Sequence, residues 1–391
     1  IFIILFFFNT YKFYSSNKNI KNINLNRSNI EEILKTKTID VPILENDTSS
    51  VIEFNSTFSD ETQDKKKRNY WDLLKIEWKK KAIIVSIKSY HLSVNEKKLL
   101  SNYQPWGLIL FSRNIRSLEQ TKKLIKNIRR LTKDPNFPIL IDEEGADVSR
   151  LSKVFDHNIS QKFVSDIYSI NKKLSLDFYR EYINNLIYIL KKIGVNINTV
   201  PVLDVLRKKT NKIIGNRSFS DNPGIVKLLG KICVKQYESN KLGTVIKHIP
   251  GHGCAWKDSH LSLPKVKLNY KDLDRIDFLP FKSNSSRFAM TAHILYEKID
   301  KKNVATFSKK IISEIIRKRI GFKGILISDD ISMKALKYDL VTNAKKSLLA
   351  GCNLVLYCAG NYRDTSKLIK EVPFIDKFTA KKTSEFYKFL R

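Results

Sequence analysis

Eight short apolar segments, separated by longer amphipathic ones, constrain the fold of this chain more than any other feature of its sequence. Their apolar character is continuous rather than alternating, which indicates strands covered on both faces, as in a parallel sheet with helical crossovers. Eight such units favour an α/β chain folded as a (β/α)8 TIM-type barrel over an open doubly wound sheet. No glycine-rich phosphate loop follows the first segment, so the fingerprint of a dinucleotide-binding sheet is missing. The segments are AIIVSI (82–87), GLILF (107–111), PILIDEE (138–144), INTVPVL (197–203), TVIKHI (244–249), FAMTAHI (288–294), GILISDD (324–330) and NLVLYC (353–358).

Helix-capping residues flank several of the amphipathic segments. Ser117 with Gln120 forms a candidate capping box, and Ser308 is placed to cap a second helix. A third and longer helix is predicted from Leu174 to Ile193, where Gly194 would end it. The apolar residues that share one helical face are Leu124, Ile125, Ile128 and Leu131 after Ser117, and Ile311, Ile312, Ile315 and Ile316 after Ser308.

The first 80 residues have a different texture from the rest of the chain. They are rich in Asn, Lys, Ser and Thr with scattered apolar residues, so we expect a linker or poorly ordered extension over 1–80 and the barrel over 81–391. Residues 71–76 are expected to form a short docking helix. The chain starts with Ile rather than Met, so the sequence leaves open whether upstream residues are missing. The apolar Ile1–Phe8 is then either the remnant of a signal or anchor segment or a sequence artefact.

The charge and the cysteine content limit which partners and which cellular compartment are expected. The formal net charge is +32, but the lysines are spread along the chain and the densest run, Lys65–Arg68, is short. We therefore do not expect nucleic-acid binding. The four cysteines lack the paired spacing of zinc sites, which favours a reducing compartment and thus a cytoplasmic protein. No segment reaches the roughly 20 apolar residues of a membrane span, and the sequence does not indicate an oligomeric state.

Charged residues stand at the carboxyl ends of several predicted strands. In a barrel of this type those ends meet at one mouth, which is where barrel enzymes keep their sites. One such residue is readily explained as a solvated strand end, but four strands that end this way favour a site. The residues are Asp142, Glu143 and Glu144 after the third segment, Lys247 and His248 in the fifth, His293 in the sixth, and Asp329 and Asp330 in the seventh.

The stretch 244–264 holds three of the six histidines of the chain, together with Lys247 and Asp258. Asp258 lies two residues before His260, so its carboxylate can orient the imidazole and stabilise the protonated form. Clustered histidines also suit zinc, but none has the one-apart spacing that aims two strand side chains at one ion. Acid-base chemistry is therefore the preferred interpretation. The three histidines are His248, His252 and His260.

Several segments together resemble a known family. ILIDEEGADVSRL, IGNRSF, KHIPGHG followed by KDSHLSLP, MTAHI, and FKGILISDDISMKAL are similar in order and spacing to the bacterial β-N-acetylglucosaminidases of glycoside hydrolase family 3, which act in peptidoglycan recycling. The resemblance runs from about Lys81 to about Gly360. It implies a barrel enzyme that removes terminal β-linked N-acetylglucosamine, with a muropeptide such as GlcNAc-1,6-anhydroMurNAc as its carbohydrate substrate.

The resemblance also implies roles for individual residues, with no cofactor and no metal. Asp329 would be the nucleophile that forms a covalent glycosyl-enzyme, His260 the general acid/base, and Asp258 the residue that orients His260. A histidine in that role differs from the second carboxylic acid that retaining glycosidases ordinarily use. The residues implied to bind the N-acetylglucosamine unit are Asp142, Arg150, Arg217, Lys247 and His248.

The chain departs from the family pattern at two places. Where the family usually has two glycines and an arginine, Gly145 is followed by Ala146 and Asp147, and this added acid would alter substrate fit. Cys254 and Trp256 replace small or polar residues in the loop before Asp258. Since the catalytic positions are present, we expect an active enzyme with a shifted preference.

Three alternatives stay open. A neutral histidine base tolerates incoming phosphate better than a carboxylate would, which allows an N-acetylglucosaminide phosphorylase on the same scaffold. The basic chain with its long extension would also suit a non-catalytic protein that binds cell-wall glycan. A metal-dependent hydrolase would use the clustered histidines as ligands.

Overall fold

A closed barrel of eight parallel strands forms the centre of the chain, as the sequence predicts. The computed structural model describes residues 79–207, 210, 214–255 and 263–391. Around the barrel the strands follow the order β1, β2, β3, β4, β5, β7, β9, β10 and return to β1, while β6 and β8 pair with each other in a small parallel sheet. The strands are β1 (Lys81–Val85), β2 (Pro105–Leu110), β3 (Ile139–Ile141), β4 (Ile197–Asn198), β5 (Gly243–Ile249), β6 (Lys265–Val266), β7 (Phe288–Thr291), β8 (Leu295–Tyr296), β9 (Ile325–Asp330) and β10 (Leu354–Tyr357).

Helices connect the barrel strands, and each of the eight predicted segments overlaps one of those strands. The described helices are α1 (Val94–Tyr103), α2 (Leu118–Thr132), α3 (Gln161–Ile170), α4 (Lys172–Ile193), α5 (Pro223–Ser239), α6 (Tyr270–Arg275), α7 (Ile311–Arg319), α8 (Leu340–Ala350), α9 (Tyr362–Glu371) and α10 (Lys377–Leu390).

The predicted caps of α2 and α4 are present. Ser117 Oγ accepts the backbone N–H of Gln120 at 3.1 Å, which satisfies one free donor of the first turn of α2. The Gln120 side chain reaches the backbone N–H of Arg116 instead of that of Ser117, so only half of the predicted capping box forms. Gly194 ends α4 with φ +95°, a conformation that glycine adopts without penalty.

Helix α7 begins as predicted but has π-helical rather than α-helical hydrogen bonding. Ser308 Oγ accepts the N–H of Ile311 at 3.1 Å, and the four predicted isoleucines are buried. At the end of α7 the N–H of Ile320 donates to the carbonyl of Ile315, five residues earlier, at 2.8 Å. The apolar spacing that predicts a buried helical face is thus compatible with either hydrogen-bond pattern.

The barrel strands divide their side chains between an interior core and an outer core beneath the helices. On β9, Ile325 and Ile327 belong to the interior cluster, whereas Leu326 packs in the outer one. The interior is continued at the amino-terminal end of the barrel by α10. Its Phe386 ring lies 5.0 Å from that of Phe288, edge to face. Helix α10 therefore closes the end of the barrel opposite the strand carboxyl ends.

Residues 1–78 lie outside the described residues, and so do nearly all of the predicted extension and the predicted docking helix. Lys80 belongs to the barrel, because its ammonium group donates to Tyr387 on α10 at 2.8 Å and forms an ion pair with Asp134. Among the residues that the structure describes, no helix is long and apolar enough to cross a membrane.

Candidate active site

A pocket of about 700 Å³ opens at the carboxyl ends of the barrel strands. Six of the eight site residues proposed from the sequence line it together, although they come from five separate parts of the chain. Those six are Asp142, Arg150, Arg217, Lys247, His248 and Asp329. The other two, Asp258 and His260, lie outside the described residues, so their roles stay predictions.

Asp142, at the end of β3, is the centre of one charged group in the pocket. Its Oδ1 accepts from Lys247 Nζ at 3.0 Å and from the Thr199 hydroxyl, and its Oδ2 accepts from Arg150 Nη2 at 3.0 Å. Burial alone would raise the pKa of Asp142, but Lys247 and Arg150 hold that pKa well below its usual range. Asp142 is therefore ionised at neutral pH and pairs with two cationic side chains.

Glu144, two residues further on, holds a third cation. Its two carboxylate oxygens accept from Arg217 Nε at 2.7 Å and Nη2 at 2.9 Å, the bidentate geometry that guanidinium and carboxylate favour. Lys247 also forms an ion pair with Glu144. Burial would raise the pKa of Glu144, and the two cations lower it to about 2. The sequence places Glu144 at the mouth but gives no sign that it, rather than Asp142, holds Arg217.

A buried carboxylate that the sequence does not single out orients the histidines of this site. Asp204 Oδ2 lies 2.7 Å from His248 Nδ1, and its Oδ1 accepts the backbone N–H groups of His248 and His252. Burial would raise the pKa of Asp204, but His248 and His252 lower it. Because a carboxylate only accepts, Nδ1 of His248 carries a proton, and Asp204 fixes the orientation of the ring.

His252 lines the pocket as well, although its sequence position indicates no specific role. Its side chain is buried, and burial lowers its pKa to about 4, with His248 opposing protonation and Asp204 favouring it. The imidazole is therefore neutral at neutral pH, and the pocket gains no positive charge from it.

The two aspartates at the end of β9 both line the pocket. Regular alternation would send them to opposite faces, and Asp329 continues the inward face of Ile325 and Ile327. The pairing of β9 with β10 shifts by one residue between Ile327 and Asp330. This bulge breaks the alternation, so both side chains reach the pocket.

The surroundings of the two aspartates differ. Asp330 Oδ2 accepts the Ser332 hydroxyl at 2.7 Å, and its Oδ1 accepts the N–H groups of Ser332 and Cys358 at 3.1 and 3.3 Å. Burial raises the pKa of Asp330. Asp329 Oδ1 accepts the N–H of Asp330 at 2.8 Å. Bonds from the Ser332 turn and from the residue after β10 thus hold both carboxylate oxygens of Asp330.

Two residues predicted at the mouth do not line the pocket. Glu143 Oε2 accepts the N–H groups of Arg150 and Leu151 at 2.8 and 2.9 Å, so its carboxylate shapes the loop that carries Arg150. His293 is buried and bonds to the Thr306 hydroxyl and to the carbonyl of Asp330. Both are structural, because a strand end can turn its side chain into a neighbouring loop instead of the mouth.

The added acid Asp147 lies on the pocket wall and is exposed. Backbone bonds from the N–H groups of Glu144 and Gly145 to the Val148 carbonyl hold its loop. Among the hydrogen bonds and ion pairs of the described residues, none involves the Asp147 carboxylate, so Asp147 presents an uncompensated negative charge to whatever enters the pocket. Cys254, the other departure, is buried, and burial raises the pKa of its thiol. Trp256 lies outside the described residues.

Within the part of the chain that the structure describes, no three or more His, Cys, Asp or Glu side chains are grouped to hold a metal ion. The predicted metal alternative also involves His260, which is outside that part.

Comparisons with known proteins match the chain and its fold. The family described as glycosyl hydrolase family 3 N terminal domain matches residues 74–378. A β-hexosaminidase of Nitrosomonas eutropha is 34% identical over 281 residues, which cover 71% of this chain and 80% of the relative. The structure of NagZ from Neisseria gonorrhoeae in complex with N-trifluoroacetyl-D-glucosamine aligns with a TM-score of 0.72 at 29% identity, over 80% of this chain and 90% of that one. A family 3 β-N-acetylglucosaminidase from Paenibacillus sp. aligns with a TM-score of 0.70 at 25% identity, over 81% of this chain and 62% of that one.

Proposed function

This chain belongs to glycosyl hydrolase family 3, and we propose that it is a retaining exo-glycosidase that removes terminal β-linked N-acetylglucosamine. It is a glycoside hydrolase of the β-hexosaminidase type. The observation that carries the proposal is the position of Asp329, whose carboxylate lines the same pocket as the charged group around Asp142 and Lys247.

The charged group provides a site for a sugar with many hydroxyls. Asp142 accepts hydrogen bonds, whereas Arg150, Arg217 and Lys247 donate them, and each of these three cations forms an ion pair with Asp142 or Glu144. Donors and acceptors that are already ordered lose little side-chain entropy when a ligand binds. The sugar-containing complex of the NagZ relative supports N-acetylglucosamine as the unit that binds here.

In the first chemical step, Asp329 attacks the anomeric carbon while the bond from that carbon to the leaving oxygen breaks. His260 gives its proton to that oxygen, so the aglycone leaves as a neutral alcohol and the sugar becomes bonded to Asp329. Asp258 stabilises the protonated imidazole before the transfer. These roles of His260 and Asp258 rest on the resemblance of their segment to the family.

In the second step, His260 takes a proton from water, whose oxygen attacks the anomeric carbon and releases Asp329. Two inversions at that carbon retain the β configuration. A histidine without its proton is neutral, so the second step proceeds without an additional anion close to the glycosyl-enzyme.

We infer that the natural substrate is a muropeptide fragment, with N-acetylglucosamine β-linked to an anhydromuramic unit, which would place the enzyme in peptidoglycan recycling. A pocket of about 700 Å³ lies in the range of sites that enclose ligands larger than a single sugar ring. Relatives named β-hexosaminidase support the sugar, and the resemblance of the motifs supports the aglycone.

A chromogenic β-N-acetylglucosaminide, assayed with and without inorganic phosphate, tests the proposal. We expect release of free N-acetylglucosamine with the β configuration under both conditions, and no loss of activity in chelator. Sugar 1-phosphate formed only with phosphate present would identify a phosphorylase instead. Glycan binding without turnover would identify a binding protein, and inhibition by chelator that zinc reverses would identify a metal-dependent hydrolase.

A further inference from the structure

Phe111, the residue that follows β2, lies on the wall of the pocket, but the proposed reaction steps give it no role. Its backbone N–H donates to Asn114 Oδ1 at 2.9 Å. Asn114 is fully buried, and its Nδ2 donates to the carbonyls of Ile87 and Ser89 at 3.0 and 2.9 Å. The position of Phe111 is therefore fixed by its own turn and by the segment that follows β1.

Two guanidinium groups lie over the Phe111 ring. The Cζ of Arg113 is 4.6 Å and the Cζ of Arg150 is 4.8 Å from the ring centroid, both within the range of a cation–π contact. The two arginines carry like charges and therefore repel each other. The face of the aromatic ring attracts both guanidinium groups, so it provides a surface that both can approach. No other aromatic ring among the described residues has a guanidinium of the sugar-binding group over it.

Arg113 is anchored independently of Arg150. Its guanidinium donates to the Ile87 carbonyl at 3.0 Å, to the Ser86 hydroxyl at 2.7 Å, and to the Cys358 carbonyl. Gly360 has φ +69°, and a Cβ there would come within 2.6 Å of the Ile87 carbonyl oxygen and 2.9 Å of Arg113 Nη2, so glycine makes room for both partners of this contact. Arg113 and the ring thus form a fixed platform at the pocket wall.

Arg150, in contrast, has few restraints of its own. Its Nη2 donates to Asp142 at 3.0 Å, but Nε is buried and, among the described residues, has no hydrogen-bond partner. Its side chain is 27% exposed. An arginine has several rotatable bonds, and one hydrogen bond does not fix the plane of its guanidinium.

We propose that Phe111 is a positioning residue for the sugar site, whose ring, backed by Arg113, sets the orientation in which Arg150 meets Asp142 and the substrate. This inference rests on the proposed function for the part that concerns the sugar. The geometric part, that the ring orients Arg150, is independent of what the pocket binds.

Phe111→Leu removes the aromatic ring but keeps an apolar side chain at the same position, so it tests the contribution of the ring. We expect kcat/KM for the chromogenic N-acetylglucosaminide to fall about 5- to 30-fold, mostly through KM, because the ring orients a group that binds the sugar rather than one that acts on the reacting bond. Phe111→Tyr keeps the ring and should stay within about 3-fold of the wild type. Phe307→Leu is the matched control, since Phe307 is also half-buried, packs against Tyr338 and does not line the pocket.

A double-mutant cycle separates positioning from a general effect on the fold. In the Arg150→Ala background, Phe111→Leu should cost less than about 2-fold, because the group that the ring orients is gone. An equal loss in both backgrounds would make Phe111 a structural residue and overturn the inference. Full activity of Phe111→Leu would do the same.

A crystal structure of Phe111→Leu gives a readout that needs no turnover. We expect the guanidinium of Arg150 to leave Asp142 or to adopt several conformers, whereas in Phe307→Leu it stays as in the wild type. An unchanged Arg150 in Phe111→Leu would contradict the inference even if activity falls. A wild type that neither binds nor hydrolyses N-acetylglucosaminides would instead count against the proposed function, and the crystal structure would still decide the role of Phe111.

Discussion

Lys247 Nζ lies 3.0 Å from Asp142 Oδ1, although the two residues are 105 positions apart and belong to β5 and to the end of β3. The parallel sheet brings them together, since only β4 lies between their strands. The carboxylate neutralises a lysine that is almost fully buried, and the lysine keeps the carboxylate ionised. This part of the pocket is thus held by electrostatic contacts between strands, and substitutions at these contacts and at neighbouring residues of the pocket have distinct expected effects.

Asp329 is expected to be the nucleophile, and the adjacent Asp330 provides the comparison. Asp329→Asn should lower kcat by at least about 10³-fold, because an amide cannot form the glycosyl-enzyme. Asp330→Asn keeps an acceptor for the Ser332 hydroxyl and should stay within about 10-fold of the wild type. A slow fluorinated glycoside should trap the intermediate, and peptide fragmentation between the two residues should place the sugar on Asp329. Sugar found on Asp330 would reverse the assignment.

Glu144 is expected to make the fold sensitive to acid. Its pKa in the fold is about 2, below the unfolded value of 4.5, so its stabilising contribution is fully present above about pH 4.5 and is lost as the pH falls towards 2. A shift of that size corresponds to about 3 kcal/mol. Urea unfolding of Glu144→Gln should show a deficit near pH 6 that shrinks below pH 4.5. The exposed Glu119→Gln is the control, and a deficit that does not depend on pH would contradict the assignment.

His260 is expected to protonate the leaving oxygen. His260→Ala should slow a substrate with a poor leaving group by on the order of 10²- to 10⁴-fold, and one with an acidic leaving group much less in the glycosylation step. Asp258→Ala should behave the same way but more mildly. Single-turnover rates on both substrates make the comparison, and equal losses on the two would make His260 structural.

The barrel is expected to fold without the residues before Lys79, whereas its full stability is expected to need Lys80. A chain that begins at Lys79 should fold and keep its activity, because β1 begins at Lys81 and every proposed site residue lies beyond it. A chain that begins at Lys81 lacks the Lys80 ammonium and leaves Asp134 without that ion pair, so it should be less stable by about 3 kcal/mol. Thermal unfolding of the two chains compares them. Insolubility of the longer one would show that residues before Lys79 pack on the barrel.

The strands and the gathering of charges at their ends could be predicted because both depend on local sequence. A run such as ILISDD carries its buried character and its terminal acids in adjacent positions. Asp204 could not be singled out in the same way. Its role depends on His248, which is 44 residues away, and nothing near Asp204 in the sequence distinguishes it from a solvated loop acid.

The details that the sequence missed on β9 and α7 have a similar cause. The bulge that turns both Asp329 and Asp330 towards the pocket is set by the register with β10, and alternation along β9 alone predicts opposite faces. In α7 the positions of the four isoleucines are the same whether hydrogen bonds span four residues or five. Patterns of burial determine where an element lies more strongly than how its backbone is bonded.

Helix α10 has a consequence for how the protein is made. Phe386 packs on Phe288, and Thr383 accepts a hydrogen bond from the indole of Trp106 at 2.8 Å, so α10 completes a core that begins with the earlier strands. During translation that core cannot close until α10 has left the ribosome exit tunnel. A stop codon at the start of α10 would therefore release a barrel whose Trp106 and Phe288 side chains are open to water, a substrate for proteases rather than a shortened enzyme.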